Sequence, residues 1–244
     1  AQDLTYYGMD LYGRREIAEL VRRLCRIDGL HWVRLQYLYP HAFPQDLLEV
    51  MREEPKVCRY VDIPLQHIDS RILKSMARST TKEQTLSLLA DFRQALPDAA
   101  FRTTLITGFP GEDAAAFEDL AEFVRAFKFD RLGVFPYSRE EGTPAYDRGE
   151  TVPEAEKERR AQAIMDLQEE ISYEANQARV GKTYEVLIDR IEGEFYVGRT
   201  EYDSPEVDNE VLIRVDSADL APGEFHQVKI VAAEAFDLYG ELAE

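Results

Sequence analysis

Apolar positions recur at helical spacing over residues 14–27, where Ile17, Leu20, Val21, Leu24 and Cys25 fall on one face and predict a helix, Cys25 as one of its small core residues. A β-branched and aromatic run from Trp32 to Pro40 then predicts a strand. The alternation continues with a short helix at 44–53, a strand at 59–65, helices at 69–77 and 81–96, a strand at 101–109, a helix at 112–127 and a strand at 131–137. Glu112 and Asp113 supply acidic residues suited to the start of the 112–127 helix. A Gly/Pro-punctuated loop runs to about residue 152. The long amphipathic pattern over 153–179 opens on Pro153 and carries many i,i+4 charge pairs.

Repeated strand–helix units imply parallel strands with right-handed crossovers. Their strands are not uniformly apolar, because Arg34, Gln36, Asp62, Gln66, His67, Arg102, Thr103 and Thr104 interrupt them. Polar residues inside parallel strands suit a barrel with a site in its interior better than a doubly wound sheet packed dry on both faces. Glycine-rich dinucleotide fingerprints and P-loops are both absent. After residue 180 the pattern changes to five short strand-like segments, beginning at Lys182, Glu194, Glu210, Phe225 and Asp237. That spacing fits a small antiparallel barrel. The expected fold is therefore α/β, a partial (βα) barrel over residues 1–178 followed by a small all-β barrel over 179–244.

Composition narrows the class. The chain has 244 residues, 45% hydrophobic, so a sizeable core is expected. No apolar run approaches the roughly 18–20 residues of a membrane span, and no secretory leader pattern is present, so a soluble, cytoplasmic protein is expected. Cys25 and Cys58 form neither a disulfide framework nor a metal knuckle. The chain opens on Ala1 without an initiator methionine or polar lead-in, which leads us to expect a piece of a larger protein. The net charge is −18, and residues 179–244 hold six Lys/Arg against sixteen Asp/Glu, a net of −10. A barrel that grips a phosphate backbone should carry a basic face, so direct nucleic-acid binding by this one is not expected.

Three segments could carry chemistry. Leu105-Ile106-Thr107-Gly108-Phe109-Pro110-Gly111-Glu112 hands a strand over to a helix through two glycines, either as a tight turn alone or as a place where a ligand approaches the backbone. Asp62-Ile63-Pro64-Leu65-Gln66-His67 ends another strand in an amide and an imidazole, with His67 either structural or functional. Tyr137-Ser138 and Glu141-Gly142-Thr143 form the loop after the last strand, on the same presumed face or as an ordinary surface turn. Arg34 and Arg102, if inward-facing, need a carboxylate partner, either Asp62 or a bound ligand; outward-facing, they would lie between helices. No Ser-His-Asp set and no His/Glu pair at metal-ligand spacing is evident.

Taken together, the segments AQD-T-YG, RLQYLYP, DIPLQH, LITGFPGE and YS…EGT, followed by the terminal barrel, resemble the C-terminal two-thirds of a radical S-adenosylmethionine methylthiotransferase with a TRAM domain. RLQYLYP and GRTEYDSPEVD are similar to the RimO-type branch, which methylthiolates the β-carbon of an aspartate on a small-subunit ribosomal protein. The resemblance implies a partial barrel that binds S-adenosylmethionine, with two four-iron clusters in the intact parent. The cluster cysteine triplet of that family is not matched here, so this piece alone is expected to bind no cluster and to be inactive, with no metal ligand and no catalytic side chain assigned.

By the same resemblance, the cofactor-binding residues are Arg34, Gln66, His67, Arg102, Thr104, Ile106, Gly108, Phe109 and Glu112. Ile106, Gly108 and Phe109 would lie along the adenine, Gln66 and His67 near the ribose and methionine portions, and Arg34 and Arg102 at the methionine carboxylate or in a structural pair. Tyr137, Ser138, Thr143, Glu206 and Asp208 would dock the substrate. A basic ribosomal protein suits the acidic barrel by charge complementarity, although an acidic surface also serves solubility alone. The alternatives are a tRNA-modifying methylthiotransferase and a non-catalytic scaffold that docks a basic protein.

Overall fold

The computed structural model describes residues 3–149, 151–216 and 219–243. After the four-residue helix α1 (Met9–Tyr12), α2 (Ile17–Cys25) buries Ile17, Ala18, Val21 and Cys25 against α3 (Gln45–Glu53). The strand–helix units follow as β1 (Tyr60–Asp62), α4 (Ser70–Ser75), α5 (Lys82–Ala95), β2 (Ala100–Thr107), α6 (Ala114–Phe127), β3 (Arg131–Pro136) and α7 (Glu154–Gln177). The strands pair in parallel in the order β1-β2-β3, with Asp62 beside Arg102, Arg102 beside Arg131, and Ile106 beside Phe135. Along β2, Thr103, Leu105 and Thr107 are buried, whereas Arg102, Thr104 and Ile106 are half-buried on the opposite face. That period of two gives the sheet one fully buried face and one half-buried face that carries Arg102, Thr104 and Ile106.

Helix starts follow local capping chemistry. Asp69 caps α4 by accepting from the N–H groups of Arg71 and Ile72, and Thr81 with Gln84 forms a capping box at α5. The helix expected from residue 112 begins at Ala114, because Asp113 is its cap, accepting from Ala116 N–H at 2.8 Å, and Glu112 turns into the interior. The strand expected over 59–65 shortens to Tyr60–Asp62, since Pro64 has no N–H to give to a ladder.

The strand expected from Trp32 to Pro40 is not a ladder strand. Val33 makes one parallel bridge to Val57, and Leu38 N–H reaches the Asp62 carbonyl at 2.9 Å. Between them Tyr37 adopts φ +59°, and its N–H bonds to the Asp62 carboxylate at 2.9 Å rather than to a neighbouring backbone.

All five expected strands of the second half form: β4 (Thr183–Glu192), β5 (Phe195–Arg199), β6 (Glu210–Arg214), β7 (Phe225–Ala233) and β8 (Asp237–Leu242). They close in the order β4-β5-β6-β8-β7 around Val186, Ile188, Val211, Ile213, Val228, Ile230 and Leu238. The pairing is antiparallel except between β6 and β8, which run parallel.

This barrel docks under the sheet, at the N-terminal ends of β1–β3, through the loop between β5 and β6. Asp203 is fully buried, accepting from Arg131 Nε at 3.0 Å and from the Thr200 hydroxyl at 2.6 Å, with Arg179 at 3.8 Å. Asp208 accepts from the Tyr60 hydroxyl at 2.6 Å and from Arg102 Nε at 3.2 Å, while Arg102 also bonds Asp62 at 3.2 Å. Arg34 donates to the carbonyls of Glu201 and Thr200 at 2.8 and 3.2 Å and lies 4.7 Å from the Tyr60 ring centroid. Burial pushes the Asp203 carboxyl up, but Arg131 and Arg179 outweigh it and hold the pKa below the ordinary value. For Asp208 burial dominates, and its pKa is raised.

Among the described residues, no helix is long and apolar enough to cross a membrane.

Candidate functional site

At the other end of the sheet, where β1–β3 finish, a cavity of about 540 Å³ opens. Gln66 lines it from the end of β1, Ile106 and Phe109 from the end of β2, and Phe135 to Ser138 from the end of β3. Met76, Ala77 and Arg78, just after α4, close one side, and Glu140, Thr143 and Ala145 close another. The walls are mostly apolar with a few convergent polar groups, the usual character and size of a small-molecule site at the C-terminal ends of parallel strands. Phe109 and Tyr137 meet edge to face at 5.0 Å, and Tyr137 N–H bonds the Thr107 carbonyl at 2.8 Å. A second cavity of about 530 Å³, lined by Tyr37, Tyr39, Pro64 and Thr104, shares Gln66 and Arg78 with the first.

Six of the expected site residues, Gln66, Ile106, Phe109, Tyr137, Ser138 and Thr143, therefore meet in one cavity, and Thr104 lies in the adjoining one. Gln66 is held at φ +70°, a strained region for a residue with a Cβ, and its backbone bridges to Leu105. The two motif segments are thus physically joined.

His67 and Glu112 line neither cavity; both side chains are fully buried behind the turn. Asp69 N–H donates to His67 Nδ1 at 3.0 Å, which leaves the proton on Nε2, 3.2 Å from the Glu112 carboxylate. Glu112 also accepts from Gly108 N–H at 3.0 Å and from Arg160 at 2.7 Å. Burial pushes the Glu112 carboxyl up, and the bonds from His67, Arg160 and Gly108 more than reverse this, so its pKa is lowered. The pair clamps the Gly108–Glu112 turn from behind rather than contacting a ligand.

Gly108 has φ +74°, and a Cβ there would overlap Lys157 Cγ, so α7 itself approaches this backbone closely and the position requires glycine. Lys157 in turn donates to the Tyr137 carbonyl at 3.1 Å, tying the last helix to the cavity wall.

Arg34, Arg102, Glu206 and Asp208 lie at the opposite end of the strands. Eight residues of β2 place that end roughly 23 Å away at the usual strand rise. Arg34 and Arg102 are engaged by the loop between β5 and β6, and the Asp208 side chain is only 1% exposed, turned to Arg102 rather than to a partner. Glu206 is exposed on the outside of the same loop. Sequence reasoning missed Tyr39, Met76, Arg78, Phe135 and Glu140 in the cavity walls.

The residues present do not fit a four-iron cluster. Such clusters need several thiolates, and Cys25 and Cys58 are both buried, with burial pushing the Cys58 thiol up to about 11. Among the described residues, no three His, Cys, Asp or Glu side chains converge as metal ligands. An adenosine-bearing ligand is a different matter: the paired aromatic and aliphatic walls beside Gln66 suit a flat base with a polar ribose.

Comparison with known proteins agrees with this arrangement. Residues 2–124 match the radical SAM superfamily and residues 180–243 match the TRAM domain. The ribosomal protein uS12 methylthiotransferase RimO of Flavobacterium psychrophilum is 55% identical over 243 residues, covering 100% of this chain and 56% of that protein. Its counterpart from Christiangramia forsetii is 53% identical over 241 residues, covering 99% and 54%. The chain thus spans about half the length of the curated relatives it matches. Among solved structures, coproporphyrinogen III oxidase (HemN) from Escherichia coli aligns with a TM-score of 0.47 at 18% identity, covering 65% of this chain and 36% of that one. With a parallel sheet, a ligand-sized cavity at its C-terminal edge and a closed five-stranded barrel docked beneath, the chain belongs to the radical S-adenosylmethionine superfamily and carries a TRAM domain.

Proposed function

We propose that this chain is the S-adenosylmethionine-binding and TRAM portion of a methylthiotransferase acting on an aspartate β-carbon of a uS12-type ribosomal protein. The observation that carries the reading is the meeting of Gln66 with Ile106 and Phe109 in one cavity of about 540 Å³ at the strand ends. Identity of 55% to a RimO protein over essentially the whole chain supports the same reaction class. When bound, S-adenosylmethionine supplies the methyl group and the hydrogen-abstracting fragment. This chain's own residues do the placing. Ile106 and Phe109 offer an apolar bed for the base, and Gln66 offers an amide to the ribose side. His67, Glu112, Arg160 and Lys157 hold the turn and the last strand rigid from behind. No cluster chemistry is assigned to this chain's residues.

A protein rather than a nucleic-acid substrate is favoured by charge. Of the six basic residues from 179 onward, Arg179, Arg190, Arg199 and Arg214 each lie beside a carboxylate, which leaves little free positive charge for a phosphate backbone. The acidic surface suits a basic partner.

The test is a calorimetric titration of the chain with S-adenosylhomocysteine, and of its Ile106→Asp variant. Saturable binding that the charge at Ile106 abolishes is the expected result. Failure of the wild-type chain to bind ends the reading of this cavity. A parallel salt series with a basic small-subunit ribosomal protein and with tRNA separates the two substrate classes, tight tRNA binding being the adverse outcome.

A further inference from the structure

Helix α7 carries an unpaired acidic face beside the barrel. Asp166, Glu169, Glu170 and Tyr173, at the i, i+3, i+4, i+7 spacing of one helix face, line a cavity of about 630 Å³ whose other wall is the turn from Glu234 to Asp237, between β7 and β8. Five carboxylates thus face one space, and among the described residues none of them is in an ion pair, whereas their neighbours Glu174 and Glu210 pair with Lys128 and Arg190. The crowding registers on Asp237, whose carboxyl is held above its ordinary range by burial and then by Glu210 and Glu234. Two aromatic rings stand in the same walls, Tyr173 and Phe236, 50% and 46% exposed.

The turn that carries Phe236 is held in place. Asn176, fully buried, donates to the carbonyls of Glu234 and Ala235 at 2.9 and 3.0 Å, and Gln177 donates to that of Ala233 at 2.8 Å. Phe236 also lines a second cavity, of about 330 Å³, between α7, the start of β3 and the loop joining β5 to β6. Gln168, 1% exposed, lines that cavity too. Its amide nitrogen donates to the Phe129 carbonyl at 2.8 Å and to the Ser172 hydroxyl at 2.9 Å, and its Oε1 has no partner among the described residues. Because a carbonyl only accepts, the Phe129 bond fixes which way the amide faces. A buried acceptor in this position calls for a donor from outside the chain. The groove formed by the two cavities therefore combines negative charge, exposed rings and one directed acceptor.

We propose that this groove docks an extended basic segment of a protein partner, which crosses Phe236 with cationic side chains in the larger cavity and an uncharged N–H donor facing Gln168 Oε1 in the smaller one. A cation is unsuited to the smaller cavity, because Arg102 and Arg131 line it. Over the larger one, carboxylates and rings together serve an arginine or lysine side chain, by ion pairing and by cation–π contact. Rigid, half-exposed aromatics are also the usual anchors of protein interfaces. The groove is a second contact, distant from the cavity at the strand ends. Asp166 to Tyr173 lie 9 to 16 residues along α7 from Lys157 at that cavity's wall, roughly 14–24 Å at the usual helical rise. A ligand that reaches both places is protein-sized. This docking deepens the reading of a basic protein substrate and rests on it.

The experiment titrates a basic uS12-type ribosomal protein calorimetrically into the wild-type chain and into three groove variants, Glu169→Gln/Glu170→Gln, Phe236→Ala and Gln168→Met. A fourth variant, Glu192→Gln/Glu194→Gln, makes the same change of net charge as the first but on barrel residues that line neither cavity. Circular dichroism and thermal melting of each variant check the fold. The acidic double variant and Phe236→Ala should each weaken binding roughly tenfold. Gln168→Met keeps the shape without the acceptor and should lose about threefold. The barrel variant should stay within about twofold of the wild type. The loss in Glu169→Gln/Glu170→Gln should shrink as salt is raised, and that in Phe236→Ala should not. Wild-type affinity in any folded groove variant, or equal weakening in the barrel variant, overturns the groove while leaving the substrate reading intact. Failure of the wild-type chain to bind the ribosomal protein overturns the substrate reading and the groove with it.

Discussion

Asp203→Asn tests whether the loop between β5 and β6 is a fastening between the two halves. The carboxylate is fully buried between Arg131, at 3.0 Å, and Arg179, at 3.8 Å, and also accepts from Thr200. Asparagine keeps the shape and one acceptor oxygen but leaves Arg131, itself 5% exposed, facing an uncharged group. Removing one member of a buried charge pair costs about 3–5 kcal/mol, and the retained oxygen places this case near 3. That is a large share of the roughly 5–15 kcal/mol that holds a domain folded. The assay is equilibrium urea denaturation of wild type, Asp203→Asn, Arg131→Met and the double variant, read by far-ultraviolet circular dichroism and tryptophan fluorescence. Trp32 is the single tryptophan and lies at the junction, 4.9 Å from the Phe225 ring. The two single variants should each lose about 3 kcal/mol or more, and the double variant distinctly less than their sum, because each single change strands the other charge. An Asp203→Asn loss below about 1 kcal/mol, or strict additivity, would refute the claim that this pair fastens the barrel to the sheet.

Acid stability follows from the same groups. Asp203 and Glu112 have folded pKa values below their ordinary unfolded ones, so their contribution is complete above the ordinary carboxylate range near 4 and is lost as the pH falls through the folded values. Asp208, raised by burial, works in the opposite sense. Thermal melts from pH 7 down to pH 2 should therefore show a steep acid limb that flattens in Asp203→Asn; an unchanged limb contradicts the assignment. Gly108→Ala should cost about 2–3 kcal/mol in denaturation, since the new Cβ meets Lys157 Cγ at 2.2 Å in a left-handed residue; a neutral result would mean that α7 gives way freely. Ala77→Gly should stabilise by about 0.5–1 kcal/mol by relieving the left-handed strain at the end of α4. A lower melting temperature in that variant would show the turn to be unstrained.

Much of this protein is written in local pattern. Helix α2, the pair α4–α5, α6 and all five strands of the second half are set by apolar period, capping residues and turn chemistry within a few positions of each other. The meeting of Gln66 with Ile106, Phe109 and Tyr137 was also legible, because successive parallel strands end on one side of a sheet and so bring their last residues together. Where bonding partners are distant in sequence, local pattern is silent. The run from Trp32 to Pro40 has every mark of a strand, yet the Asp62 carboxylate captures Tyr37 N–H and diverts it. The family resemblance puts Asp208 at a substrate-docking surface, and only the tertiary structure shows it and Asp203 buried against Arg102 and Arg131, some 106 and 72 positions away. Likewise only the fold shows that Arg34 and Arg102 are already engaged, the first by the Thr200 and Glu201 carbonyls and the second by Asp62 and Asp208. A charge seeks whichever partner compensates its desolvation, and that partner is set by the packing of elements rather than by neighbours along the chain.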